Sequence, residues 1–195
     1  MKIRTALLDR MVLLMLGSMA VSACSSGSDG GVADSATSAT QAGQERTNAP
    51  LKAELVNIDV KVSRGPGYDA AADQLRVTVA VTNNGPVTLP VTGRHPVTLG
   101  VVQKLRNEHD LPDRRGAESR APFLDDIAPS QTRNVEVILP ADFVIGHKVE
   151  FDALQEGVVW FGVSYDQDTA VIGPFQRCEG STSICDGNGQ QVPSL

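Results

Sequence analysis

The amino-acid sequence predicts an all-β protein whose globular part is a single antiparallel β-sandwich. Three observations carry that reading. From residue 51 onward, apolar residues recur at every second position in short runs, the period of a strand with one buried face. Clusters of Gly, Pro, Asn and Asp separate those runs and mark turns. No run beyond the N-terminal segment has the 3.6-residue period of an amphipathic helix, so nothing supplies the crossovers that a parallel sheet requires.

The elements follow in chain order. Val56, Ile58, Val60 and Val62 alternate with Asn57, Asp59 and Lys61 in a first strand, which Arg64-Gly65-Pro66-Gly67 is expected to break. Leu75, Val77, Val79 and Val81 make a second, ended by Asn83-Asn84-Gly85-Pro86. Residues 87–91 and 97–105 give two more, separated by Gly93 and Pro96. Residues 106–120 read as a long charged loop with Glu108-His109-Asp110 and Asp113-Arg114-Arg115. Phe123, Leu124 and Ile127 form a short apolar piece before Pro129. Val135, Val137 and Leu139 alternate again, as do Val149, Phe151 and Ala153. A closing run covers 158–163, and 169–172 is a final candidate. Seven or eight short strands over about 125 residues suit one sandwich domain.

The N-terminus carries a different signal. Lys2, Arg4 and Arg10 precede the apolar run Met11-Val12-Leu13-Leu14-Met15-Leu16-Gly17, and small residues then lead to Val21-Ser22-Ala23-Cys24. The apolar run is far shorter than the roughly 20 residues of a membrane-spanning helix, and the pattern is that of an export signal. Its last four residues resemble the lipobox of bacterial lipoproteins. That resemblance implies cleavage before Cys24 and a diacylglyceryl thioether on its sulfur, with two or three acyl chains giving stable anchoring. Ser25 and Ser26 follow, with no adjacent aspartate, which resembles the default of transfer to the outer membrane. Residues 25–50 hold almost nothing to bury, so they are expected to form a disordered tether spanning roughly 25–30 Å. The expected organisation is a cleaved signal over 1–23, lipidated Cys24 with a tether over 24–50, the sandwich over 51–176 and a tail over 177–195.

Charge and composition narrow the function. The net charge of −6 becomes −8 without the signal, which removes three basic residues and one acidic one (14 basic, 22 acidic remaining). A negative chain is unsuited to nucleic acid, whose binding rests on Lys and Arg against phosphates. It is equally unsuited to lying on an anionic membrane, so the lipid would do the holding. Aromatic residues are 4% of the chain, too few for a large sugar-stacking platform, while 41% hydrophobic residues suffice for one core. With Cys24 acylated, Cys178 and Cys185 remain among Gly, Ser and Thr. In an oxidising envelope they read as a disulfide-closed loop.

The stretch Phe151-Asp152-Ala153-Leu154-Gln155-Glu156-Gly157-Val158-Val159-Trp160-Phe161 resembles a hallmark of the Ig-like sandwich module appended to some bacterial glycosyltransferases and polysaccharide-handling proteins. Asn83-Asn84-Gly85 matches the Asn-x-Gly turn of that module, and Arg120-Ala121-Pro122-Phe123-Leu124 with Ala128-Pro129-Ser130 matches its Arg-x-Pro-Leu and Pro-Gly stretches. Ser130 stands where that module has glycine, and no transferase domain is attached. The resemblance implies an Ig-like fold over most of 75–163 and no catalytic residues. On the residues alone, Glu156-Gly157 bends the chain between two strands, with Glu156 expected to bond backbone amides at the turn. Trp160 and Phe161 are expected in the core, Trp160 filling the space between the sheets.

Other constellations point to no chemistry. Glu108-His109-Asp110 has metal-ligand side chains, but adjacent residues rarely converge on one ion, and His95 and His147 are distant. Asp166-Gln167-Asp168 lacks the glycine and distal glutamate of a calcium loop and reads as a solvated hairpin tip. Asp125-Asp126 imitates a glycosidase pair, yet neighbours on a strand face opposite ways. No Gly-x-Ser-x-Gly elbow occurs. The expectation is a non-enzymatic, membrane-anchored envelope lipoprotein without metal or other cofactor. Its partner would be an envelope protein or, alternatively, a glycan such as an exopolysaccharide, bound through the loop with Glu108, His109, Asp110, Asp113, Arg114 and Arg115. A structural spacer and an unrecognised envelope enzyme are the competing classes.

Overall fold

Two antiparallel sheets face each other across one core. The computed structural model describes residues 49–105 and 114–195; Cys24, the signal, the tether to 48, and Glu108, His109, Asp110 and Asp113 lie outside the described residues. The small sheet has the order β1-β2-β5, from β1 (Ile58–Asp69), β2 (Gln74–Asn83) and β5 (Thr132–Pro140). The large sheet has the order β4-β3-β6-β7, from β3 (Val97–Leu105), β4 (Arg114–Pro122), β6 (Lys148–Gln155) and β7 (Val159–Trp160). β8 (Ala170–Ile172) also pairs with β6. A short helix α1 (Ala141–Val144) follows β5, and α2 (Phe161–Tyr165) stands between β7 and β8. The all-β sandwich expected from the alternation is the fold.

The alternation becomes the core directly. Val77, Val79 and Val81 of β2 meet Ile58 and Val60 of β1 and Val137 and Leu139 of β5 on one side. Val97, Leu99 and Val101 of β3, with Phe151 and Ala153 of β6, close it from the other. Asn83, fully buried, holds the corner where β2 leaves the sheet. Its Nδ2 donates to the carbonyls of Val87 and Ile127, both at 2.8 Å, and its Oδ1 accepts from the Gly85 amide. The Asn-x-Gly turn is therefore a buried bracket in which every amide hydrogen bond matters.

Several expectations need correction. Arg64-Gly65-Pro66-Gly67 does not end the first strand: two register irregularities absorb it and β1 runs on to Asp69, a bulge rather than a break. Residues 87–91 contribute a lone bridge, Leu89 to Ile127, instead of a strand. The charged loop is shorter than 106–120, because Arg114 and Arg115 already belong to β4 and pair with Leu105 and Lys104. The closing run 158–163 is a strand for two residues only and then turns into α2.

The tail is part of the same body. β9 (Phe175–Arg177) and β10 (Ile184–Asp186) form a hairpin joined by the Cys178–Cys185 disulfide. Ile184 and Val192 enter the core, and Ser194 makes one isolated parallel bridge to Tyr68 of β1. Arg177 clasps both carboxylate oxygens of Asp73 at 2.8 Å and the Tyr68 hydroxyl at 2.8 Å. That clasp holds the Asp73 carboxyl below its ordinary range, through the bonds from Tyr68 and then Arg177.

Candidate functional site

The outer face of the large sheet carries a cluster built on a deletion of side chain. Strand residues alternate faces, so Thr98, Gly100 and Val102 of β3 and Leu154, Asp152 and Glu150 of β6 point away from the core. Arg115, Glu118 and Arg120 join them from β4, and Trp160 from β7. Gly100 is the opening through which the cluster forms. A Cβ there would lie 2.2 Å from the Trp160 ring, so only glycine lets the indole reach across β6 onto the sheet.

The indole is flanked by cations. The Arg115 guanidinium carbon lies 4.0 Å from the ring centroid and that of Arg120 lies 4.6 Å from it, both within cation–π range. Carboxylates hold those arginines in turn. Glu156 Oε1 accepts from Arg120 Nε at 3.0 Å and from Thr98 Oγ1 at 2.8 Å, and Glu118 bonds both arginines. Lys104 and Glu150 pair beside them at 2.6 Å.

Beneath this cover lies Asp152, 0% exposed. The ladder on that side of β6 is interrupted: β8 pairs with 149–151 and β7 with 154–155. Asp152 fills the gap by accepting from the Gly162 amide of α2 at 2.8 Å through Oδ1. Among the described residues its Oδ2 has no hydrogen-bond partner, nor has Arg115 Nη2, and the two stand 3.9 Å apart. Burial pushes the Asp152 carboxyl up to about 6, with Glu150 adding repulsion; the bonds from Gly162 and Val163 and the charge of Arg115 pull the other way and lose.

The residues singled out in the sequence fall in three places. Phe161 is fully buried in the core. Trp160 is not between the sheets; it lies half-covered on the outside, because the strand parity that buries Val97 and Leu99 turns Leu154 and its partner Trp160 outward. Glu156 bonds side chains of Thr98 and Arg120 rather than backbone amides, and Gly157 takes a positive φ of 70° at the turn before β7. Arg115 sits in the cluster, while Arg114 marks only the start of β4. Cys178 and Cys185 are bonded to each other at the tail, away from this cluster in the topology. Gln155, unremarked in the sequence, is a buried peg: it accepts from the Leu51 amide and donates to the carbonyls of Ala49 and His95. In Asp166-Gln167-Asp168 both aspartates are exposed, while Gln167 is half-buried and accepts from the Ile58 amide.

Sequence reasoning did not single out Asp152. Two signals pointed to its setting: an unexplained glycine inside a regular strand at 100, and the single tryptophan.

No family model matches the chain, and no curated protein does. Solved structures resemble the chain only distantly. A β-glucosidase from Bifidobacterium adolescentis overlaps 60% of this chain and 17% of its own at 9% identity and a TM-score of 0.32. The sporulation control protein Spo0M from Bacillus subtilis overlaps 60% and 48% at 14% identity and a TM-score of 0.31. β-Glucosidase 3B from Thermotoga neapolitana, solved with glucose, overlaps 60% and 16% at 11% identity and a TM-score of 0.31. The chain thus spans less than half of each of these proteins, and the likeness is too small to carry a function.

Proposed function

We propose that this chain is a membrane-anchored cell-envelope lipoprotein, acylated on Cys24, whose sandwich is a non-catalytic binding domain facing the periplasm or the surface. The outer face of the large sheet is its binding surface. One observation carries this: the protein's only tryptophan is held on the outside, over Gly100, rather than spent in the core. In the segment after it, Val163 of α2 is 67% exposed, and Val171, on the outer side of β8, is 51% exposed. An aromatic and two arginines are what protein interfaces concentrate, and both arginines stand on β4.

Site-specific photocrosslinking in intact envelopes tests it. A crosslinker at Val163 is expected to trap a partner, while one at Ile138, exposed on the outer face of the small sheet, traps none. The reverse result overturns the assignment. Anchoring is tested apart from binding: Cys24→Ser is expected to release the protein from the detergent-soluble to the aqueous fraction. An envelope glycan is the second reading, supported by the indole edged with hydrogen-bonding Glu156, Glu118 and arginines. Crosslinks that survive protease but not glycosidase treatment would mark it.

A further inference from the structure

The segment that carries Trp160 has the build of a lid. It runs from Gly157 to Asp166, both in left-handed backbone conformations, with φ of 70° and 53°. Between them β7 contributes two residues to the sheet and α2 five. Phe161 and the Tyr165 hydroxyl, which donates to the Leu51 carbonyl at 2.8 Å, tie it to the body. Its inner surface presses on Asp152: a Cβ at Gly162 would stand 3.0 Å from both Cγ and Oδ1 of that carboxylate. The lid therefore keeps water from a charged group that has one unpartnered oxygen.

A buried carboxylate short of partners is destabilising when ionised and acceptable when protonated. We infer that the β7–α2 segment is an acid-closed latch: protonated Asp152 keeps it shut over the large sheet, and ionised Asp152 favours its lifting, which admits water to the carboxylate and moves Trp160 off Gly100. Every charged neighbour bears on the same carboxylate. Glu150 on its own strand repels it. Arg115 from β4 attracts it but is shared with Glu118, and Lys104 from β3 is taken by Glu150. Across from it the lid offers only the backbone amides of Gly162 and Val163, and β7 adds the indole. Thr169, ahead of β8, touches Gly162 and bonds Glu150.

The direction follows from linkage. Shut, the carboxyl titrates at about 6; open and hydrated, it returns towards 3.8. The open form thus binds fewer protons between those values, and its share grows as pH rises. The gain amounts to roughly fiftyfold in the opening equilibrium between pH 4 and pH 7, levelling off above pH 7. That the opening changes what a partner meets rests on the binding face proposed above; the opening itself does not.

Native-state hydrogen exchange of the intact chain in detergent, with no partner present, tests the latch separately from any binding experiment. After correction for intrinsic rates, protection at the Gly162 and Val163 amides is expected to fall roughly fiftyfold from pH 4 to pH 7 and to stay, at every pH, well below that of the β2 core amides, which open only with the whole fold. Asp152→Asn, which retains an acceptor for Gly162 without the charge, is expected to flatten the profile. Acrylamide quenching of Trp160 in the unmutated protein gives a second reading and should rise with pH over the same range. A flat profile in the unmutated protein, an equal slope in D152N, or protection at Gly162 and Val163 as high as in the β2 core would each overturn the latch.

Discussion

The two sheets use the same alternation to different ends. In the small sheet, β2 alternates without a lapse between buried and half-exposed positions, and its outer face meets solvent. In the large sheet, β6 is buried at five consecutive positions from Phe151 to Gln155. Leu154 and Asp152 point outward there and are still covered, by Trp160, Arg115 and α2. A one-sided sheet needs only a core beneath it. A sheet covered on both sides has a second layer to build, and in this protein that layer is polar, charged and organised around one indole.

The predictions sharpen that contrast. The largest effect belongs to the shared core: Phe151→Ala should cost about 3–5 kcal/mol, measured by chemical denaturation, because its ring lies fully buried between the sheets. If the cost is under 1 kcal/mol, the face assignment of β6 is inverted. Next comes Asp152→Asn, which should stabilise the protein at pH 7.5 by up to about 3 kcal/mol. The sign follows from a raised pKa. Asp152 supports the fold fully below 3.8, and that support is lost as pH rises through about 6. The gain from D152N must therefore vanish near pH 4. Asp73 works oppositely: its lowered pKa gives stability above the ordinary carboxylate range that is lost on acidification.

Opening the Cys178–Cys185 bridge with Cys→Ser at both positions should cost roughly 2 kcal/mol for so short a loop, and should loosen the tail while leaving the Trp160 cluster intact. Gly100→Ala should cost about 1–3 kcal/mol and shift Trp160 emission, since the new methyl takes the indole's seat. Val79→Ala in β2 would leave that emission unchanged.

How much was legible follows the same division. Wherever a strand has one wet face, as in β2 and β5, period two disclosed it, and the turn at Asn83-Asn84-Gly85 disclosed its end. The register irregularities in β1 were hidden, because a Gly-Pro-Gly run looks the same whether it stops a strand or bulges it. The cluster was hidden for a deeper reason. Parity tells that Trp160 and Leu154 share a face, but not whether that face is the inner one, once β7 is two residues long and α2 intervenes. Gly100 held the answer locally, since a bare Cα in a central strand marks a close approach, though not by which side chain.

The account stands or falls on Trp160 lying outside the sandwich under two arginines. Acrylamide quenching of its fluorescence in an Arg115→Ala, Arg120→Ala double variant measures this directly. The account predicts that quenching rises severalfold while the β-sheet circular dichroism signal is retained. Quenching that stays at the level of a fully buried indole in both proteins would place the ring between the sheets and contradict it.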